Sequence, residues 1–381
     1  MRAKIKVARA YFYNGFTQLI TNSGYFLVLA TIISLVVSNS IVGTTFINAL
    51  HTPLIQGVHL TSAQGIVNDV LMTLFFLIVA IELNYELTQG ALNSLKLAAT
   101  PIFAAIGGML VPALIYYVIN INTVTAQGWG IPMATDIAFA LALYKLFGNA
   151  LPPYLKTLLC ALAVVDDFGS ILAIALFYSN TAASLVWIAV LIVLIAALLY
   201  FRNTVTNTWF YVLVLCELWV CLYNVGVHPT MSAVVVGLIA PYQITSNWIH
   251  ALHKWVYYLI VPLFALINTA IIIDVDLLQT CTKSTIVWGV VLGLLVGKPL
   301  GITLGVAISQ KLKLAHLPVG VTIKHVAMIG VLGGIGFTVS LFVSSLAFGS
   351  TAILLAQARI AVLIAALLTV VCGKLIANKL F

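Results

Sequence analysis

Long apolar runs alternate with short polar connections along almost the whole chain. They fall near residues 24–40, 66–87, 97–119, 128–149, 155–178, 183–201, 206–222, 226–240, 252–272, 284–308, 326–347 and 351–373. About 20 apolar residues at roughly 1.5 Å each cross a bilayer core. The pattern therefore predicts an all-α polytopic membrane protein with twelve transmembrane helices. The longest connection, 41–65, holds isolated apolar residues and has room for a hairpin or short helix. Two runs carry breaks. In GWGIPMATDIAFALALYKLFG, Pro132 lacks an N–H and disfavours helix just before itself, with Thr135 and Asp136 next. In MIGVLGGIGFTVSLF, Gly333, Gly334 and Gly336 offer a second break. Interrupted helices in corresponding halves point to a transporter built from inverted repeats around a mid-membrane site. A proline kink and glycine-mediated packing are the simpler account of each break taken alone.

Composition supports the membrane reading. Of 381 residues, 63% are hydrophobic and only 7% are charged, against about 25% charged in soluble domains. A soluble enzyme is excluded, and one transmembrane domain over 1–381 is expected, without linker or resident cofactor. The net charge is +8. The basic residues sit between apolar runs, which favours lipid head groups and topology over nucleic acid. Fourteen of the seventeen Lys and Arg fall on one side: Arg2, Lys4, Lys6, Arg9, Lys96, Lys145, Lys156, Arg202, Lys254, Lys311, Lys313, Lys324, Lys374 and Lys379. Lys283 alone lies on the other. Both termini are thus expected in the cytoplasm, with residues 1–20 a basic cytoplasmic segment. The five cysteines show no paired spacing, and free buried thiols are expected.

Of the remaining charges, Asp274 and Asp276 lie in an outer connection and the others within the apolar runs, where a charge at the bilayer centre costs about 2.5–3.5 kcal/mol on insertion scales. Asp166 and Asp167 stand mid-span in LLCALAVVDDFGSILAIALF. Like charges this close do not readily ionise together, so the pair holds either protons or a hard cation. A hydrogen-bonded helix contact between protonated acids is the plainer alternative, but one acid would suffice for it. Lys298, in VLGLLVGKPLGITLGVA, lies too deep to snorkel. It needs Asp166 or Asp167, or the negative ends of a broken helix. Asp136 and Glu217 also lie within runs. Asp69 lies at the outer end of the second run, and Glu82 and Glu86 at its inner end, one helical turn apart. Glu217 reads as a protonated acid in a protein-lined gap, and Arg359 as a bridge between neighbouring helices.

From about residue 24 to the C-terminus the chain resembles the NhaA sodium/proton antiporters of bacterial inner membranes. The resemblance rests on NDVLMTLFFLIVAIEL at 68–83, AAIGGMLVPALIYY at 104–117, IPMATDIAFALAL at 131–143, ALAVVDDFGSILAIALFY at 161–178, GVHPT at 226–230, GKPLGI at 297–302 and GGIGFTVSLFVSSLAFGS at 333–350. It implies inverted repeats in spans 3–5 and 10–12, with spans 4 and 11 unwound and crossing. It further implies Asp167 as the central cation ligand, and Asp166 as a proton-exchanging partner of Lys298. Thr135 would support the site. Asp136 and Lys298 would offset the positive and negative helix ends. Glu82 and His228 match positions linked to pH response, and Asp69 an acid of the outer funnel. The implied function is electrogenic, pH-dependent export of sodium or lithium against protons by a transporter of the inner membrane, not an enzyme, with a capacity to form homodimers.

The sequence departs from the family pattern in three places. Asn84 and Tyr85 stand where two basic residues usually follow Glu82. Ile249 stands where an acid is expected in SNWIHALHKW, and Glu217 has no family counterpart. The basic neighbours that would moderate Glu82 and Glu86 are therefore missing from positions 84 and 85, and the titratable groups expected near this end are His250 and His253, whose charge changes near neutral pH. Among other functions, a sodium-coupled organic-solute symporter would need a larger polar pocket and usually a second sodium site. An intramembrane aspartyl protease would need carboxylates facing across a gap. Adjacent residues on one helix point about 100° apart. A channel would be told from an exchanger by vesicle kinetics.

Overall fold

The computed structural model describes residues 20–380, apart from 21, 56–58, 89, 91, 94, 148–151, 179–184, 315–316 and 319. The expected segment 1–20 thus lies almost wholly outside the described residues. Every regular element among the described residues is helical.

Among the described residues, seven helices are long and apolar enough to cross a membrane, and two bent pairs raise the number to nine. The first bent pair is α1 (Asn22–Ser38) with α2 (Gly43–His51), at 115°. Thus α2 is the short helix expected in the long connection. There follow α3 (Ala63–Thr88), α4 (Leu95–Ile119), a 3₁₀ segment Val124–Met133 with α5 (Ile137–Phe147), α6 (Pro153–Phe177), α7 (Leu185–Phe201), α8 (Thr208–Val225), α9 (Met231–Ile239) and α10 (Tyr242–Asn268). The chain ends with α11 (Val275–Lys283), α12 (Thr285–Lys311), the second bent pair α13 (Ile323–Gly333) and α14 (Phe337–Phe348), at 51°, and α15 (Ala352–Leu380). Three of the twelve expected spans fall on α5, α7 and α9, which are shorter than the spanning helices. For those three the count remains an expectation.

Local sequence explains two of the three π-helical turns among the described residues. A π-helical turn at Val256–Ile260 is followed by Pro262, and another at Gly293–Gly297 by Pro299. A proline ring clashes with the carbonyl four residues back, and a wider turn relieves the clash. The second widening falls beside Lys298. Helices α4 and α12 form the most extensively packed pair. A Cβ on Gly107 would collide with the carbonyl of Gly301, and one on Gly301 with the carbonyl of Gly107. Glycine at both places lets the backbones touch, which sets the position of α12, and with it Lys298, against α4.

The outer acids are partly structural. Asp274 caps α11 by accepting the Leu277 amide at 2.7 Å. The free cysteines are not uniformly buried. Cys160, Cys221 and Cys281 are, but Cys216 is exposed.

Candidate functional site

Two interrupted helices meet at the centre of the structure. The 3₁₀ segment ends at Met133, and Ala134 to Asp136 run without regular structure before α5 begins. Gly334 to Gly336 make the corresponding interruption between α13 and α14. The two interruptions bond directly, Asp136 N–H donating to the Ile335 carbonyl at 2.6 Å. Non-helical backbone at membrane depth is tolerable only when protein or a polar cavity satisfies it. Here side chains complete the pairing. Asp136 Oδ1 accepts the Phe139 amide at 3.0 Å and Oδ2 the Thr338 amide at 3.1 Å. One carboxylate thereby faces the start of α5 and the start of α14.

One of the opposite helix ends meets a cation. Lys298 Nζ donates to the Met133 carbonyl, at the end of the 3₁₀ segment, and to Asp166 Oδ2. The two partnerships open to this lysine from sequence are both made. Lys298 and Asp166 are 0% exposed, so the pair is shielded from solvent. Such a pair is strongly destabilised when one member is removed. Thr135 Oγ1 lies 2.6 Å from Asp166 Oδ2 and 3.0 Å from the Gly333 carbonyl. Its single proton serves one of these at a time, and the side chain sits between Asp166 and the end of α13.

Asp167 is different. It is buried, yet Asp167 Oδ1 has no hydrogen-bond partner among the described residues, and neither has Asp166 Oδ1. Buried polar atoms in native proteins are rarely left so. Unpartnered oxygens on adjacent carboxylates suit a proton or a hard cation. The structure therefore brings Thr135, Asp136, Asp166, Asp167 and Lys298 together.

The remaining residues singled out from sequence form two further clusters on α3. Asp69 and Glu82 are thirteen residues apart, or about 20 Å along a helix. At one end, Asp69 Oδ1 lies 3.4 Å from His228 Nε2, and His228 Nδ1 lies 2.9 Å from Thr230 Oγ1. At the other, Glu82 is buried, with Oε1 3.5 Å from both His253 Nε2 and the Tyr257 hydroxyl. Of the two histidines expected near this end, His253 is the one that meets Glu82. The partner comes from α10, distant in sequence, and not from positions 84 and 85. Asn84 instead donates to the Gly237 and Leu238 carbonyls at 3.3 and 2.9 Å, closing the end of α9. Tyr85 stacks on Tyr242.

The reading of Glu217 is corrected. It is exposed on α8, whose buried face is Tyr211, Val214, Leu218 and Cys221, so it lines no protein gap. Arg359 does bridge helices, donating to Asn268 Oδ1 at 3.0 Å and Ser345 Oγ at 3.2 Å. Sequence reasoning missed Asn268, which also pairs with Asn68 at 2.8 Å. Neutral amides carry little signal in a sequence, whereas a buried arginine demands such partners.

Fold and site define a multi-pass membrane protein with a charged centre where two broken helices cross. The model of the Na+/H+ antiporter 1 family matches residues 14–377, and the chain belongs to that family. It is 42% identical over 369 residues to the Na(+)/H(+) antiporter NhaA of Shigella flexneri, covering 92% of this chain and 94% of that protein. It is 39% identical over 379 residues to an NhaA antiporter of Clostridium beijerinckii, covering 95% and 94%. Among solved structures, a sodium proton antiporter from Methanocaldococcus jannaschii matches with a TM-score of 0.51 at 14% identity. That match covers 93% of this chain and 98% of the other, and shows a shared fold. The comparisons give the solute-symporter reading no support.

Proposed function

We propose that the protein is a secondary antiporter of the bacterial inner membrane, exporting sodium or lithium in exchange for protons, with both termini cytoplasmic. The observation that carries this reading is the pair Asp166–Asp167, buried at the crossing with an unpartnered oxygen on each. Asp167 serves as the central ligand. Asp166 alternates between Lys298 and the cation, because the oxygen given to the lysine is not fully available to sodium. Thr135 steadies Asp166 in both conditions. Asp136 and Lys298 compensate the helix ends, so the centre stays ordered when its charge changes.

Competition supplies the coupling. Protons and sodium occupy the same carboxylates in turn, and the loaded site opens alternately to each side. When more than one proton is exchanged per sodium, net charge moves and the membrane potential contributes about 2.3 kcal/mol per charge per 100 mV. Asp69 with His228 and Glu82 with His253 lie toward opposite ends of α3, suited to the two approaches to the site.

The test is sodium-induced proton efflux from acid-loaded everted vesicles, with lithium and potassium as comparisons. Sodium and lithium should discharge the acid interior and potassium should not. Discharge by potassium alone, or a conductance that persists without a proton gradient, contradicts exchange.

A further inference from the structure

Ser170 lies one turn beyond the two aspartates on α6. It is buried, and its Oγ has no hydrogen-bond partner among the described residues. A helical serine or threonine ordinarily returns its hydroxyl to the carbonyl three or four residues back. Buried examples elsewhere in the chain do so. Ser344 donates to the Ser340 carbonyl at 2.7 Å, and Thr369 to the Ala365 carbonyl at 2.8 Å. Ser170 has the same opportunity and does not take it.

Its position on the helix is informative. At about 100° per residue, Ser170 is offset by roughly 40° from Asp166 and 60° from Asp167, on the arc between them. Helical side chains lean toward the helix N-terminus, which carries a residue at this spacing back toward the preceding turn. The three unpartnered oxygens, Asp166 Oδ1, Asp167 Oδ1 and Ser170 Oγ, thus share one sector of one helix. A hard cation accepts neutral oxygens beside carboxylates.

We propose that Ser170 is a further cation ligand, adding a neutral oxygen to the carboxylate pair. On binding, its lone pairs turn to the cation and its proton is donated to the Asp166 carbonyl. This rests on the antiporter reading and adds a specificity-determining residue to it. A neutral ligand raises affinity for sodium without adding a competing proton site.

The experiment uses the full-length protein in acid-loaded everted vesicles, with Ser170→Ala, Ser170→Cys, Ser170→Thr and Asp167→Asn. Alanine and cysteine should raise the sodium KM roughly fivefold, the scale of one neutral hydrogen-bond-strength contact, with a smaller change in maximal rate. Threonine keeps the hydroxyl and should restore KM to within twofold. Cysteine nearly keeps the volume, so loss in both alanine and cysteine points to the oxygen and not to a cavity. As a second readout, more sodium should be needed to raise the melting temperature of purified Ser170→Ala. Sodium KM within twofold of wild type in both variants, while Asp167→Asn abolishes exchange, would overturn the ligand and leave the antiporter standing. No sodium-driven efflux from the unmodified protein would overturn both.

Discussion

Asp136 Oδ2 accepts the amide of Thr338, 202 residues further along the chain, at 3.1 Å. Its other oxygen accepts the amide of Phe139 at 3.0 Å. Each helix start leaves up to four N–H groups unpaired and carries a partial positive charge. One buried carboxylate answers part of that need for both half-helices and joins the two halves of the chain at their crossing.

Replacing Asp136 should therefore act on stability before transport. Asparagine keeps one acceptor oxygen and turns an NH₂ toward an amide, and alanine removes both acceptors. Each lost charge-assisted bond should cost about 1.5–3 kcal/mol. The melting temperature of purified protein should fall in the order wild type, asparagine, alanine. Equal melting temperatures would show that the crossing does not depend on this residue.

Lys298→Ala should lower stability by about 3–5 kcal/mol, because Asp166 loses its partner inside the protein. The Met133 carbonyl loses its donor as well. Adding Asp166→Asn should recover part of the loss, since no buried charge is then uncompensated. A double variant as unstable as the sum of the singles would argue against the pair. Lys298→Arg keeps charge but not shape and should fall between wild type and alanine.

Asp166→Asn and Asp167→Asn should each abolish coupled exchange while the protein still inserts and purifies. Sodium-dependent thermal stabilisation should be lost most completely in Asp167→Asn, since Asp167 makes no competing bond to Lys298. Wild-type exchange in either variant would remove that residue from the site.

Sodium and pH should be linked. Low pH protonates the carboxylates and excludes sodium, so raising sodium should move the activation midpoint to lower pH. Linkage sets the size: about one pH unit per tenfold sodium if one proton leaves, and about half a unit if two leave together. The shift read from vesicle activity at several sodium concentrations thus reports the stoichiometry. A midpoint unmoved by sodium would place pH control elsewhere, with the Glu82–His253–Tyr257 cluster the first place to look. His253→Ala should then change the steepness of the profile.

The acids and the lysine were legible in the sequence because charge within an apolar run is costly and needs a reason. Pro132 and the glycines at 333, 334 and 336 marked both helix breaks, since backbone chemistry at those residues acts locally. The partner of Glu82 was legible only as one of two histidines near that end, for the opposite reason. His253 stands 171 positions away, and no local rule connects them. Glu217 was misjudged because apolar residues surround α8 on every side, so the sequence shows no polar face to say which way a lone acid points.

By itself, the sequence determined that the chain is helical, apolar and membrane-spanning, where its helices break, and which residues are too expensive to be incidental. These follow from hydrophobicity and backbone chemistry, which each residue carries with it. Only the tertiary structure decided that Lys298 meets both Asp166 and Met133, that Asp136 serves two helices, and that Ser170 Oγ and one oxygen of each aspartate lack partners among the described residues. Partnership depends on which helix faces are pressed together. That is set by backbone contacts such as Gly107 on Gly301, between residues the chain keeps far apart.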